Sequence, residues 1–173
     1  MTLSVPLRGQ HREPPVAQFL VVRRPSRLAM LKTLSIIGYL GMIGGLIGLV
    51  AMRAILSVSP FVISIQVAAL LLAGWARVTF RRRSYHVAAN PTEGGLVTSG
   101  PYHFIRHPIY TAICVFTGAG VAAHWSWRAG VCGGLVLGSL VMRMFCEETL
   151  VAKRYPEYQQ YAANTWRMIP YVY

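Results

Sequence analysis

Two stretches of this chain, residues 33–52 and 54–76, contain no charged side chain. A hydrocarbon core about 30 Å thick is crossed by about 20 apolar residues of helix. A third block, 108–127, holds no Asp, Glu, Lys or Arg, and His124 is its one titratable group of note. A fourth, 129–146, is free of charge only as far as Met142, with Arg143 near its end. Backbone groups in lipid have no water to bond, so such blocks are helical. The expected fold is an all-α integral membrane protein with about four transmembrane helices. Composition agrees, since 54% of the 173 residues are hydrophobic and 13% charged, too few charges for a soluble domain of this size. No second sizeable domain fits. Residues 1–27 read as a basic tail, flexible or interfacial, 28–80 as a first transmembrane hairpin, and 81–173 as the part that carries chemistry.

The net charge of +12 would suggest nucleic acid in a soluble protein. Here the basic residues sort by topology. All but two of the 17 Lys and Arg lie in the N-terminal tail, the middle connection or the C-terminal part; Arg53 and Arg128 alone fall on the other two connections. Lys and Arg are retained in the cytoplasm during insertion. Both termini and the middle connection are therefore expected to be cytoplasmic, in a bacterial inner membrane or one like the endoplasmic reticulum, with no nucleic-acid partner. No small-residue cleavage site follows a short apolar core, so the first helix reads as a retained anchor. Cys114, Cys132 and Cys146 show no pairing or metal-ligand spacing.

Helix one, about 30–53, carries Gly41, Gly44, Gly45 and Gly48, two overlapping GxxxG patterns that suit close helix approach. Gly130, Gly134 and Gly138 are expected to do the same for helix four. Pro60 starts helix two, which runs to about Phe80. Segment 81–107 is the longest polar connection, punctuated by Asn90-Pro91, Gly94-Gly95 and Gly100-Pro101. A loop this long inside a compact chain is functional or disordered, and its Leu96, Val97, Tyr102, Phe104 and Ile105 argue for folding back on the helix ends. Residues 149–163 read as a short interfacial helix, bent near Pro156.

Two polar clusters flank the second pair of apolar blocks. Pro is favoured at the first position of a helix, so helix three is expected to start at Pro108 with His107 close to its N-cap. Free N–H groups there attract an anion, and Arg106 adds positive charge. At the end of helix four, Glu147 and Glu148 are two of only five acids, placed where the helix dipole disfavours them. Arg143 lies four residues before Glu147, on the same helix face. As a purely structural set these would be a snorkelling helix end and a surface ion pair. As a site they offer an anion seat, a carboxylate and the aromatic faces of Tyr102 and Tyr110, which suits a zwitterion with a sulfonium such as S-adenosylmethionine.

The run Gly95-Leu-Val-Thr-Ser-Gly-Pro-Tyr-His-Phe-Ile-Arg-His-Pro-Ile-Tyr110 resembles the isoprenylcysteine carboxyl methyltransferase family. So does Arg143-x-x-x-Glu147-Glu148, followed by Tyr155-Pro-Glu-Tyr-x-x-Tyr161. Phospholipid methyltransferases share the general layout, as does the C-terminal half of certain sterol reductases, which bind a nicotinamide cofactor. The resemblance implies S-adenosyl-L-methionine bound at the cytoplasmic face, in a pocket built from the 81–107 loop and the C-terminal tail. The implied cofactor contacts are Gly94, Gly95, Leu96, Val97, Tyr102, His107, Pro108, Ile109, Tyr110 and Glu147. Arg143 matches the arginine associated with the substrate carboxylate, and Glu148 is the alternative to Glu147 for the acid role. Where part of the family has a glutamine upstream, this chain has Ala88-Ala89-Asn90. The expected reaction is methyl transfer to a lipophilic small-molecule or lipidated acceptor drawn from the membrane, a carboxylate in the main reading. A phospholipid amine, a thiol, or a non-catalytic protein of the same fold are the alternatives. No metal is implied.

Overall fold

The computed structural model describes residues 26–80 and 96–170. Five helices follow in order: α1 (Arg27–Ala51), α2 (Pro60–Phe80), α3 (Pro108–Ala123), α4 (Trp127–Arg154) and α5 (Tyr158–Ala163). A short 3-10 turn, Gly100–His103, precedes α3. The basic tail up to residue 25, and with it the upstream departure at Ala88-Ala89-Asn90 and the cofactor candidates Gly94 and Gly95, lies outside the described residues.

Three helices, α1, α2 and α4, are long and apolar enough to cross a membrane, and α3 is a shorter apolar helix of 16 residues. The protein is thus an all-helical, multi-pass integral membrane protein, with large apolar side chains such as Leu40, Ile47, Phe61 and Leu71 facing outward. The third apolar block was expected to run to 127. It stops at Ala123 because Ser126 starts a new helix, its side chain accepting a hydrogen bond from the Ala129 N–H.

Helices joined by the two short turns are not each other's main packing partners. α1 lies along α4, and α2 lies along α3. The α1–α4 seam buries Met42, Val136 and Leu140, with Tyr39, Ile43 and Leu46 packed around them. Close approach depends on small residues of α1, as the Gly41/Gly45 pattern suggests; of the four glycines only Gly44 is turned away from α4. A Cβ on Gly45 would sit 2.9 Å from the Cys132 carbonyl oxygen and 2.7 Å from Val136 Cγ2, whereas one on Gly44 would meet nothing within 4 Å. The expected counterpart on α4 is not found: Gly134 and Gly138 face open space, and Gly130 meets only the ring of Trp125. On the other side of the bundle, buried Gln66 of α2 donates to the carbonyls of Ile55 (2.6 Å) and Phe116 (3.4 Å). A polar side chain in the apolar layer is thereby satisfied.

Helix α4 is longer than its charge-free block. It runs unbroken past Glu147 and Glu148 to Arg154, so the acids sit inside the helix and no separate helix begins at 149. The break comes at Tyr155, which is extended (φ −120°, ψ 103°), because the proline that follows disfavours helical geometry at the residue before it. The described part of the connection, 96–107, packs its 3-10 turn on α2. Gly100 has φ +59°, and a Cβ there would lie 2.5 Å from Thr79 Oγ1 of α2, so this turn needs glycine on both counts.

Gly45→Leu is expected to force α1 off α4 and lower stability by about 1–3 kcal/mol, the usual cost of overpacking. Gly44→Leu should be near neutral. Thermal unfolding of both variants in one detergent checks the contrast.

Candidate functional site

The two polar clusters meet at one end of the bundle. His107 is the N-cap of α3, Pro108 its first residue, and Thr111 N–H makes the first intrahelical bond, to the His107 carbonyl. The N–H groups of Ile109 and Tyr110 come before that bond and form the positive end of the helix. Tyr110 stacks on the His107 ring, with centroids 5.3 Å apart and planes 8° from parallel. Its hydroxyl donates to Glu147 Oε1 at 2.5 Å and accepts from Arg143 Nε at 3.1 Å. Arg143 Nη2 donates to the same Glu147 oxygen at 2.8 Å. Far from being a surface pair, Arg143 is buried.

Glu148 faces a different set of partners. Its Oε1 accepts from Arg106 Nε at 2.9 Å and lies 3.3 Å from His107 Nε2, and its Oε2 accepts from Arg167 Nε at 3.2 Å. Arg106 continues into the C-terminal tail, where its Nη1 donates to the carbonyls of Ala162 (2.6 Å) and Thr165 (2.5 Å). The tail lies alongside residues 104–107. Ile105 and Trp166 form a parallel bridge, Trp166 N–H donates to the Phe104 carbonyl, and Arg106 and His107 N–H donate to the carbonyls of Trp166 and Arg167. Thr111 Oγ1 then donates to the Met168 carbonyl at 2.8 Å. Tyr161 of α5 donates to the Tyr102 carbonyl at 2.6 Å. Burial pushes the Tyr161 hydroxyl up to about 12, so it remains a donor at any physiological pH.

Of the residues expected from sequence, His107, Pro108, Ile109, Tyr110, Arg143, Glu147 and Glu148 come together. Tyr102 is buried in the 3-10 turn, its ring 5.8 Å from that of Phe80 and its carbonyl bonded to the tail. Leu96 lines an open hollow of about 500 Å³ with Thr98, His103, Gln160 and Tyr161. That hollow is built from the end of the long connection and the C-terminal part, and none of His107, Tyr110, Arg143, Glu147 or Glu148 lines it.

Four residues of the cluster escaped sequence reasoning. Arg167 reaches Glu148 from the tail, and Thr165 supplies acceptors to Arg106. Ser35 of α1 accepts from Arg143 Nη1 through its carbonyl at 3.3 Å, and the ring of Tyr39 lies under the guanidinium at 5.3 Å. Ser35 and Tyr39 are four apart, which puts them on one helix face, but no spacing ties that face to Arg143.

The bundle carries a charged, hydrogen-bonded cluster where α3 begins and the apolar part of α4 gives out. The phospholipid methyltransferase family matches residues 62–158, more than half of the chain, covering all of α3 and α4 and reaching the first residue of α5. The chain belongs to that family, and is an integral membrane methyltransferase that uses S-adenosyl-L-methionine. Comparison with curated proteins and with solved structures gives no match.

Glu148→Ala would strand Arg106 and Arg167 in a mostly buried position. Removing one partner of a buried ion pair costs about 3–5 kcal/mol. The expected result is a lower unfolding temperature together with faster tryptic cleavage after Arg167, measured on the purified protein in detergent.

Proposed function

We propose that this protein transfers a methyl group from S-adenosyl-L-methionine to the amine of a phospholipid headgroup, at the cytoplasmic face of the membrane. The observation that carries the reading is the family match over residues 62–158. The disposition of Arg143 supports it. A carboxylate acceptor would ask for a guanidinium edge open for bidentate pairing. Here Nε, Nη1 and Nη2 each already donate, to Tyr110, Ser35 and Glu147. In this reading Arg143 holds Glu147 and Tyr110 in place.

The chain's residues suit the cofactor. Glu147 has one oxygen occupied by two donors, which leaves Oε2 for a cofactor ammonium. The N–H groups at the start of α3 would take its carboxylate. Tyr110, Tyr102, Leu96 and Val97 would supply the remaining walls. When bound, the sulfonium supplies an electrophilic methyl. The protein's part is to align the acceptor and keep water out. Phospholipid reaches such a site from the side, through the bilayer, with its headgroup at the level of the helix ends. The excess of Lys and Arg on the tail and middle connection supports the cytoplasmic placement.

The test is the protein in nanodiscs that contain phosphatidylethanolamine, supplied with methyl-labelled cofactor. Label is expected in the lipid fraction as the N-methylated headgroup. Label found only on a prenylated cysteine carboxylate, supplied in a parallel reaction, would overturn the amine reading. Glu147→Gln should weaken cofactor binding at least about tenfold, some 1.4 kcal/mol, read by calorimetry.

A further inference from the structure

An amine acceptor brings a requirement that a carboxylate does not. A primary ammonium near neutral pH is almost entirely protonated, as for a lysine side chain with an unperturbed value near 10.4. It has no lone pair until a proton leaves. A base within the cluster has to receive that proton.

We propose that His107 is this base, with Glu148 holding its imidazole so that Nδ1 is the accepting nitrogen. The inference rests on the amine reading above. Four observations carry it. His107 Nε2 lies 3.3 Å from Glu148 Oε1, so in the neutral ring Nε2 bears the hydrogen and Nδ1 the lone pair. Nδ1 makes no hydrogen bond among the described residues, and although His107 is the N-cap of α3, its side chain caps no N–H. Stacking on Tyr110 fixes the plane of the ring. The other candidates at the cluster are engaged, or, for Glu147 Oε2, assigned above to the cofactor ammonium. Glu147 Oε1 accepts from two donors, both Glu148 oxygens face cations, and the Tyr110 hydroxyl already donates.

The groups around the ring suit the task. Arg106 and Arg167 share the Glu148 carboxylate with it, and Tyr158 also faces that carboxylate. Tyr110, Glu147 and Arg143 lie on the α3 side. The step balances simply. The proton passes from R–NH3⁺ to Nδ1, leaving R–NH2 and an imidazolium whose charge Glu148 offsets. The nitrogen lone pair then forms the new C–N bond as the methyl leaves sulfur with the S–C electron pair staying on the sulfur. The product is R–NH2CH3⁺, and the imidazolium returns its proton to water. This role differs from holding the cofactor, which would occupy Nδ1 before the acceptor arrives.

The experiment uses full-length protein in nanodiscs with phosphatidylethanolamine, and the variants His107→Gln and His107→Ala. For the wild type, turnover at saturating cofactor should rise with pH through an inflection to a plateau. His107→Gln should bind cofactor within about threefold of wild type, lose turnover about 10²–10⁴-fold, and lack that inflection. Added imidazole should restore part of the turnover of His107→Ala. A second readout needs no turnover. Nitrogen-15 histidine spectra of the wild type should give the Nε2–H tautomer at His107, and Glu148→Gln should redistribute it. An Nδ1–H tautomer in the wild type, an unchanged pH profile in His107→Gln, or cofactor binding lost in step with turnover would each overturn the proposal. If the wild type methylates no amine lipid at all, the acceptor reading fails and this role falls with it. If amine lipid is methylated but His107→Gln behaves as wild type, only the role of His107 fails.

Discussion

The carboxylate of Glu148 is the point at which three separately folded parts of the chain are tied together. Arg106 and His107 come from the approach to α3, Arg167 comes from the tail, and the acid belongs to α4. None of these charges is stable alone at the end of an apolar bundle, because a charge shielded from water must be paired and hydrogen-bonded. Arg106 shows how completely the requirement is met. Beyond Glu148 it needs further acceptors, and the carbonyls of Ala162 and Thr165 provide them only because the tail turns back after α5. The parallel pairing of 104–107 with 166–167 is what presents those carbonyls and sends Arg167 toward the acid. The tail is therefore part of the site's foundation.

A second support comes from a helix outside the matched region. Helix α1 ends before residue 62, yet it closes the buried side of Arg143. Its Ser35 carbonyl accepts from the guanidinium, and Tyr39 offers the face of its ring. Gly38 lets α1 come this near: a Cβ there would lie 3.0 Å from the Ser139 carbonyl oxygen and 3.1 Å from Arg143 Cγ. The glycine stripe of α1 thus does more than pack two helices. It brings backbone acceptors to an arginine that would otherwise be buried with unmatched donors. Arg143, so held, can in turn fix one oxygen of Glu147 and the hydroxyl of Tyr110.

What was legible in the sequence was whatever has a local cause. Charge-free blocks of membrane length announced the helices, Pro60 and Pro108 marked two helix starts, and Arg143 and Glu147 were placed on one face by their spacing alone. What was not legible depended on contacts between distant segments. The apolar blocks say nothing about which helix packs on which, so the pairing of α1 with α4 could not be read from them. Gly134 and Gly138 match the pattern of the α1 glycines but lie on the wrong face, because the seam is set by where Val136 and Ser139 of α4 point. The extension of α4 through Glu148 was hidden by the acids themselves, which look like the end of a membrane segment. In the structure their cost is met by partners from elsewhere, so the helix has no reason to stop until Pro156. Arg167 carried no signal, since one basic residue in an aromatic tail does not reveal its acid.

The acid doublet resolves into two different jobs. Neighbours in an α-helix are about 100° apart around the axis, so Glu147 and Glu148 cannot share a partner. Glu147 turns toward α1 and α3, where Arg143 and Tyr110 both take the same oxygen. Glu148 turns toward the connection and the tail, where two guanidinium groups and the His107 imidazole surround it. A carboxylate whose two oxygens are both engaged holds structure and has little left for a ligand. A carboxylate with one oxygen engaged is oriented, and still has an acceptor to offer. In a chain with so few acids, placing two side by side at the junction of four elements lets one of them secure the walls while the other faces what the walls enclose.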